Sequence, residues 1–241
     1  MASKPIPQAA KARPGQVIKR NSDGSIVTYR MRVYFQKQGR AAMLSHLEIA
    51  RALERVIRRA GLPYAITNGF SPHMRIAFGS ALPVGVGGNR ECLDVLLTEQ
   101  VDLDKALAAM QASSAPALMV LGCEYIGRRD EAASVAYPYS TYETEFSEPL
   151  PCTADDLPFP QTVTVIRKKK EKVLTVSEFL QPGVELDGRI MRYVLKSGEN
   201  GSLRPDVLMH ELLKEMPQVR IQSITRVGQS AEYQDPSGVR G

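Results

Sequence analysis

Ser45-His46-Leu47-Glu48 is an S-x-x-E capping box, in which the Ser45 hydroxyl and the Glu48 carboxylate satisfy amides that a helix start leaves without partners. A helix is therefore predicted to run from this point to Ala60 and to stop at Gly61. Along it, Leu53, Val56, Ile57 and Ala60 form one apolar stripe, while Arg51, Arg55, Arg58 and Arg59 recur at helical spacing on another face. A helix with one apolar stripe must lie on an apolar layer, and the flanking segments supply strands for it.

The run Met31-Arg32-Val33-Tyr34-Phe35 alternates as a half-buried strand does, and Gly39 closes it. After the helix, 63–66 reads as extended, Asn68-Gly69-Phe70-Ser71-Pro72-His73 as a structured loop, and 75–82 as a strand. Gly85, Gly87 and Gly88 are expected to make a flexible turn into a strand over 91–98, followed by a helix over 102–112 and a strand over 118–126. The order strand, helix, strand, strand, helix, strand is the split β-α-β, ferredoxin-like pattern.

The second half repeats the theme more loosely, with strands over 139–146, 162–167, 185–195 and 219–227 and a helix over 205–215. Pro205 suits a first helical turn and Asp206 the positive end of the helix dipole. For a first crossover helix only 153–157 is available, which is short. The expected fold is α+β, with a ferredoxin-like domain at 29–128 and a second, degenerate one at 135–228. Disordered tails are expected at 1–28 and 229–241.

At 241 residues, 43% hydrophobic and 24% charged, the chain has material for two modest cores. No window approaches the roughly 20 apolar residues of a membrane span, and the opening residues lack a signal-peptide core, so no membrane association and a cytoplasmic location are expected. Cys92, Cys123 and Cys152 are widely separated, with no C-x-x-C; they read as structural thiols, and neither a metal nor another cofactor is expected. A net charge of +5 and a pI of about 9.1 favour polyanionic partners. With no Trp, any base-stacking surface must use Tyr, Phe, His or Arg.

His46 and His73 stand at element boundaries. His46 sits on the first turn of the capped helix, where free amides and the dipole attract anions, and His73 ends the Gly/Ser/Pro loop. The plain alternative is that both imidazoles hold the loop by hydrogen bonds. The arginine face is either a solvated helix surface or a track for phosphates. Ser45, His46, Arg51, Arg55, Arg58, Ser71, His73 and Arg75 are the candidate anion-binding residues. Arg167-Lys168-Lys169-Lys170, with Glu171-Lys172 after it, reads as an exposed hairpin turn that could add phosphate contacts. G-x-S-x-G, H-E-x-x-H and Walker patterns are absent, and the glycines at 85–88 join strand to strand, which disfavours a stand-alone hydrolase, nucleotidase or redox enzyme.

Several motifs carry a family resemblance: Leu44-Ser45-His46-Leu47-Glu48; Ala52-Leu53-Glu54-Arg55 with Arg58-Arg59-Ala60-Gly61-Leu62-Pro63; Gly69-Phe70-Ser71-Pro72-His73 with Arg75-Ile76; Leu82-Pro83-Val84-Gly85-Val86; and Gly201-Ser202-Leu203-Arg204-Pro205-Asp206. With these the chain resembles the radical SAM-linked proteins of bacteria, over residues 30 to 228. Proteins of that family are fused to, or encoded beside, a cobalamin-binding type of radical SAM enzyme. The resemblance implies a separately encoded radical SAM enzyme as partner, since this chain has no C-x-x-x-C-x-x-C to hold a cluster. Because related radical SAM enzymes often modify RNA, the expected role is a non-catalytic RNA-binding or adaptor module presenting tRNA or rRNA. One alternative is a metal-independent ribonuclease or RNA-modifying enzyme, with His46 and His73 as base and acid and Arg75 stabilising the phosphorane. A pure protein–protein adaptor is the other.

Overall fold

The structure, a computed structural model, describes residues 19–22, 24, 26–68, 70–127, 129–167, 170–198 and 201–236. Most of the expected N-terminal tail (1–18, 23 and 25) and the end of the C-terminal one (237–241), together with Gly69, Arg128, Lys168, Lys169, Glu199 and Asn200, lie outside the described residues. The chain is a mixed α/β protein. Its main strands hydrogen-bond in the order β4 (Val120–Ile126), β1 (Tyr29–Lys37), β3 (Val86–Leu97), β10 (Ile221–Ser230), β5 (Tyr139–Phe146), β9 (Ile190–Lys196) and β8 (Glu185–Asp187), with β2 (Ile76–Phe78) on β3, and three α-helices connect them among the described residues. It divides into two compact units, the first built from residues up to 36 with 47–81 and 91–135, the second from 37–46, 82–90 and 136–241.

In the first unit, β1 (Tyr29–Lys37) buries Met31, Val33 and Phe35 at alternate positions, with Arg32 between the first two also buried. The helix α1 (His46–Arg59) buries Ile49, Leu53, Val56 and Ile57; Ala60, expected in that stripe, is only half-buried beyond the last helical residue. Its C-terminus is a Schellman motif: Leu62 N–H donates to Ile57 O at 3.3 Å and Gly61 N–H to Arg58 O at 3.2 Å, with Gly61 at φ 72°. The strand β2 (Ile76–Phe78) pairs antiparallel with β3 (Val86–Leu97). Asp102 caps α2 (Leu103–Ala112) by accepting from Lys105 N–H at 2.9 Å, and β4 (Val120–Ile126) pairs antiparallel with β1. The described part of the expected N-terminal tail makes a small turn closed by an Arg20↔Ile26 bridge, and Ile26 is buried in a cluster with Ala65. Order therefore begins before Tyr29, because Ile26 finds an apolar site.

Gly87 and Gly88 are not in a flexible turn. They belong to β3, which starts at Val86, and they pair in parallel with Thr225 and Arg226. A Cβ on Gly87 would stand 3.2 Å from Thr225 Oγ1 and 3.4 Å from the Lys37 carbonyl, so close packing rather than flexibility calls for glycine there.

In the second unit, β5 (Tyr139–Phe146) lies between β10 (Ile221–Ser230) and β9 (Ile190–Lys196), antiparallel to both. The strand expected over 185–195 is a hairpin of β8 (Glu185–Asp187) and β9, turning at Gly188 with φ 59°. Residues 153–157 form no helix; the hairpin of β6 (Thr162–Arg167) and β7 (Lys170–Thr175) follows them instead. β9 runs antiparallel to β5, as the third and first strands of a split β-α-β unit do, but its other neighbour is β8, whereas the strand at 162–167 pairs with β7 and no first crossover helix is present among the described residues. The helix α3 (Pro205–Leu212) places Pro205 in its first turn as expected, and Leu208, Met209 and Leu212 join Phe146, Met191, Tyr193 and Ile224 in this unit's core. Gln229 and Ser230, expected in the C-terminal tail, are instead the end of β10, held by Gln229↔Ser140 and Ser230↔Tyr139 pairing.

Candidate functional site

The arginine face of α1 is exposed. Arg51, Arg55, Arg58 and Arg59 are all solvent-facing, opposite the buried Ile49, Leu53, Val56 and Ile57. At 100° per residue the four guanidinium groups fall within an arc of about 100° and an axial span of about 12 Å. Glu48 shares that arc in the first turn. Arg51, Arg55 and Arg59 form no ion pair among the described residues. Arg58 is placed over the Tyr64 ring, 5.9 Å from its centroid, which ties the end of the helix to the strand segment that follows.

That segment leads into the loop expected to carry a site. Tyr64 bridges Leu97 and Ile66 bridges Met74, so the loop with Asn68, Phe70, Ser71 and His73 is closed at a base two residues beyond Tyr64. Thr67 N–H donates to the His73 carbonyl at 2.8 Å, and His73 N–H donates to Thr67 Oγ1 at 3.0 Å. Ser71 Oγ lies 3.3 Å from His73 Nε2, and both side chains are exposed. Asn68 Oδ1 is buried without a hydrogen-bond partner, so the loop lacks one donor. Arg75 is half-buried just before β2, where its amide donates to the Ala65 carbonyl at 2.8 Å and its carbonyl accepts from Leu96 N–H at 3.0 Å.

Arg51, Arg55, Arg58, Ser71, His73 and Arg75 all belong to the first unit. Ser45 and His46 belong to the segment 37–46 of the second unit; Ser45 is half-buried and His46 exposed, and each is engaged by a neighbour. At the hairpin turn after Arg167, the paired residues are Arg167 and Lys170, with Lys168 and Lys169 outside the described residues. Among the described residues no group of three or more His, Cys, Asp or Glu side chains is placed to hold a metal ion. No helix of the described residues is long and apolar enough to cross a membrane.

A buried ionic cluster went unanticipated in the sequence. Asp94, almost fully buried, accepts at Oδ1 from Arg32 Nε at 2.8 Å and at Oδ2 from Arg30 Nη2 at 2.7 Å and from Ala133 N–H at 3.0 Å. Both guanidinium groups also reach the Glu131 carbonyl, at 2.6 and 2.8 Å, and Arg30 reaches the Asp130 carbonyl at 2.8 Å. Burial alone would raise the Asp94 carboxyl; hydrogen bonds from Arg32, Arg30 and the Ala133 amide, with the Arg32 charge, outweigh it and hold the group below the ordinary carboxylate value. The cluster pins the chain after β4, with Arg32 and Asp94 buried and Arg30 half-buried. A visible signal was there: Arg30 and Arg32 share the strand face opposite Met31 and Val33, and Asp94 interrupts an apolar strand.

Lys37 was missed for a similar reason. It continues the buried alternation of β1, and its Nζ donates to the Pro83 and Val86 carbonyls, each at 3.0 Å. Gly85, at φ 89°, donates its N–H to the Ala42 carbonyl at 2.9 Å, so the Leu82-Pro83-Val84-Gly85-Val86 motif is a braced turn.

A family model for uncharacterised proteins conserved in bacteria, DUF2344, matches residues 30–205. The chain belongs to that family. Its description names no reaction or partner, and the match takes in β1, the arginine helix, the loop and the ionic cluster alike. No curated protein matches the chain.

Proposed function

We propose that this chain is a non-catalytic RNA-binding module of the cytoplasm that presents an RNA to a separately encoded radical SAM enzyme. The observation that carries the proposal is the exposed face of α1, where Arg51, Arg55 and Arg59 stand without ion pairs among the described residues. Guanidinium groups spaced along a helix meet phosphates of a backbone without reading its sequence, and a net charge of +5 favours the same class of ligand. The partner is drawn from the resemblance in the sequence motifs. For the first unit we also propose a ferredoxin-like fold, supported by its strand order β4-β1-β3-β2 and by α1 and α2 as the two crossovers.

Filter binding to bulk tRNA across a salt series tests the proposal. The logarithm of affinity is expected to fall linearly with the logarithm of salt, and the double substitution Arg51→Gln with Arg55→Gln reduces the slope by about 1.4 to 1.8. No affinity at low salt, or affinity indifferent to salt, rejects RNA as the ligand. Co-purification with an enzyme that survives nuclease treatment, in the absence of tRNA binding, identifies a protein adaptor instead.

A further inference from the structure

Phe70 is the outlier among the aromatic side chains. Its ring stands fully in solvent, at 112% of the reference exposure, while every tyrosine and every other phenylalanine is buried or half-buried. The remaining large exposed hydrophobic side chains, such as Met43, Val84, Ile166 and Val173, are aliphatic. Phe70 belongs to the loop closed by the Ile66↔Met74 bridge and by the two Thr67–His73 hydrogen bonds, so the ring is presented from a fixed base.

Its surroundings distinguish a base from a protein as the thing it meets. A protein anchor sits amid other apolar side chains that exclude water around it. Around Phe70 the loop offers the exposed Ser71 and His73 instead. A nucleotide supplies a π-face for the ring and phosphate oxygens for the exposed Ser71 hydroxyl and His73 imidazole. The same unit carries the arginine face of α1, and Arg58 on Tyr64 ties that helix to the strand from which the loop springs.

We propose that Phe70 is a stacking platform for one unpaired base, so that the RNA recognised at this site is single-stranded where it crosses the loop. This rests on the RNA-binding function proposed above and adds to it a ligand form that phosphate contacts alone do not select. A base held in a duplex has no free face for the ring.

Because the chain contains no Trp, Phe70→Trp installs a sole tryptophan, whose emission can be excited selectively over that of the tyrosines. Titration of that variant with a short single-stranded RNA is expected to quench its emission saturably, and the matched duplex to leave the emission unchanged. In parallel, Phe70→Leu is expected to lower affinity for the labelled single strand about tenfold, with Phe70→Tyr restoring it. Binding of single strand and duplex that is unaffected by Phe70→Leu, without quenching, overturns the stacking role while leaving phosphate binding by α1 intact. Absence of any RNA binding by the native chain overturns both.

Discussion

Arg32 Nε donates to Asp94 Oδ1 at 2.8 Å, joining β1 to β3 across two side chains that are each about 5% exposed. These buried charges are tolerated because Asp94 is met by Arg32, by Arg30 and by the Ala133 amide, while the Glu131 carbonyl takes up further guanidinium bonds. Removing one partner leaves a buried charge uncompensated, so Asp94→Ala is expected to cost about 3 kcal/mol, read from the urea midpoint. A change under about 0.5 kcal/mol would show that water replaces the carboxylate.

The same carboxyl sets an acid limit. Its value in the folded chain is depressed, so its contribution is present above the unfolded value of about 4 and is lost as pH falls through the lower folded value. Thermal melts between neutral pH and pH of about 3 are expected to show a loss of stability that Asp94→Asn removes in large part. A parallel decline in both proteins assigns acid sensitivity to other carboxylates.

At the end of α1, Gly61 holds φ 72°, and a Cβ added there would meet nothing within 4 Å, so the only cost of a side chain is its backbone conformation. Gly61→Ala is expected to destabilise the chain by about 1 kcal/mol in equilibrium unfolding, with tRNA affinity unchanged under native conditions.

Tyr193 is fully buried, and its hydroxyl lies 3.2 Å from Thr144 Oγ1. Burial pushes its phenol far above the ordinary value, with the Thr144 hydrogen bond opposing only in part. A raised folded value means that the contribution is full below the unfolded value near pH 10 and is lost as pH rises beyond it, when the unfolded chain gains by ionising. Tyr193→Phe is expected to cost about 1 kcal/mol at neutral pH, from the hydroxyl left on Thr144, and to flatten the decline above pH of about 10. A neutral-pH cost of zero would mean that Thr144 finds another partner.

Incubation with labelled single-stranded RNA is expected to leave the RNA intact, for the native chain and for His46→Ala and His73→Ala alike. His73→Ala is expected to weaken binding by a few-fold, the scale of one phosphate contact. Cleavage by the native chain that disappears in either variant would replace the binding module with an acid–base nuclease.

Local chemistry determined much of this protein from the sequence alone. The bounds of α1 followed from Ser45, Glu48 and Gly61, and those of β5 and β6 from alternation, since capping and side-chain period act within one or two turns of chain. The exposed arginine face followed from the same period. Tertiary structure alone decided that Gly87 and Gly88 pair with Thr225 and Arg226, that β9 has β8 as its outer neighbour while the strand at 162–167 pairs with β7, and that Asp94 gathers Arg30 and Arg32. These join residues far apart in the chain, and which distant groups meet depends on which faces can be buried together, a condition that no local pattern encodes. The projection of Phe70 belongs with them, because an aromatic residue in a loop reads the same whether the fold covers it or leaves it bare.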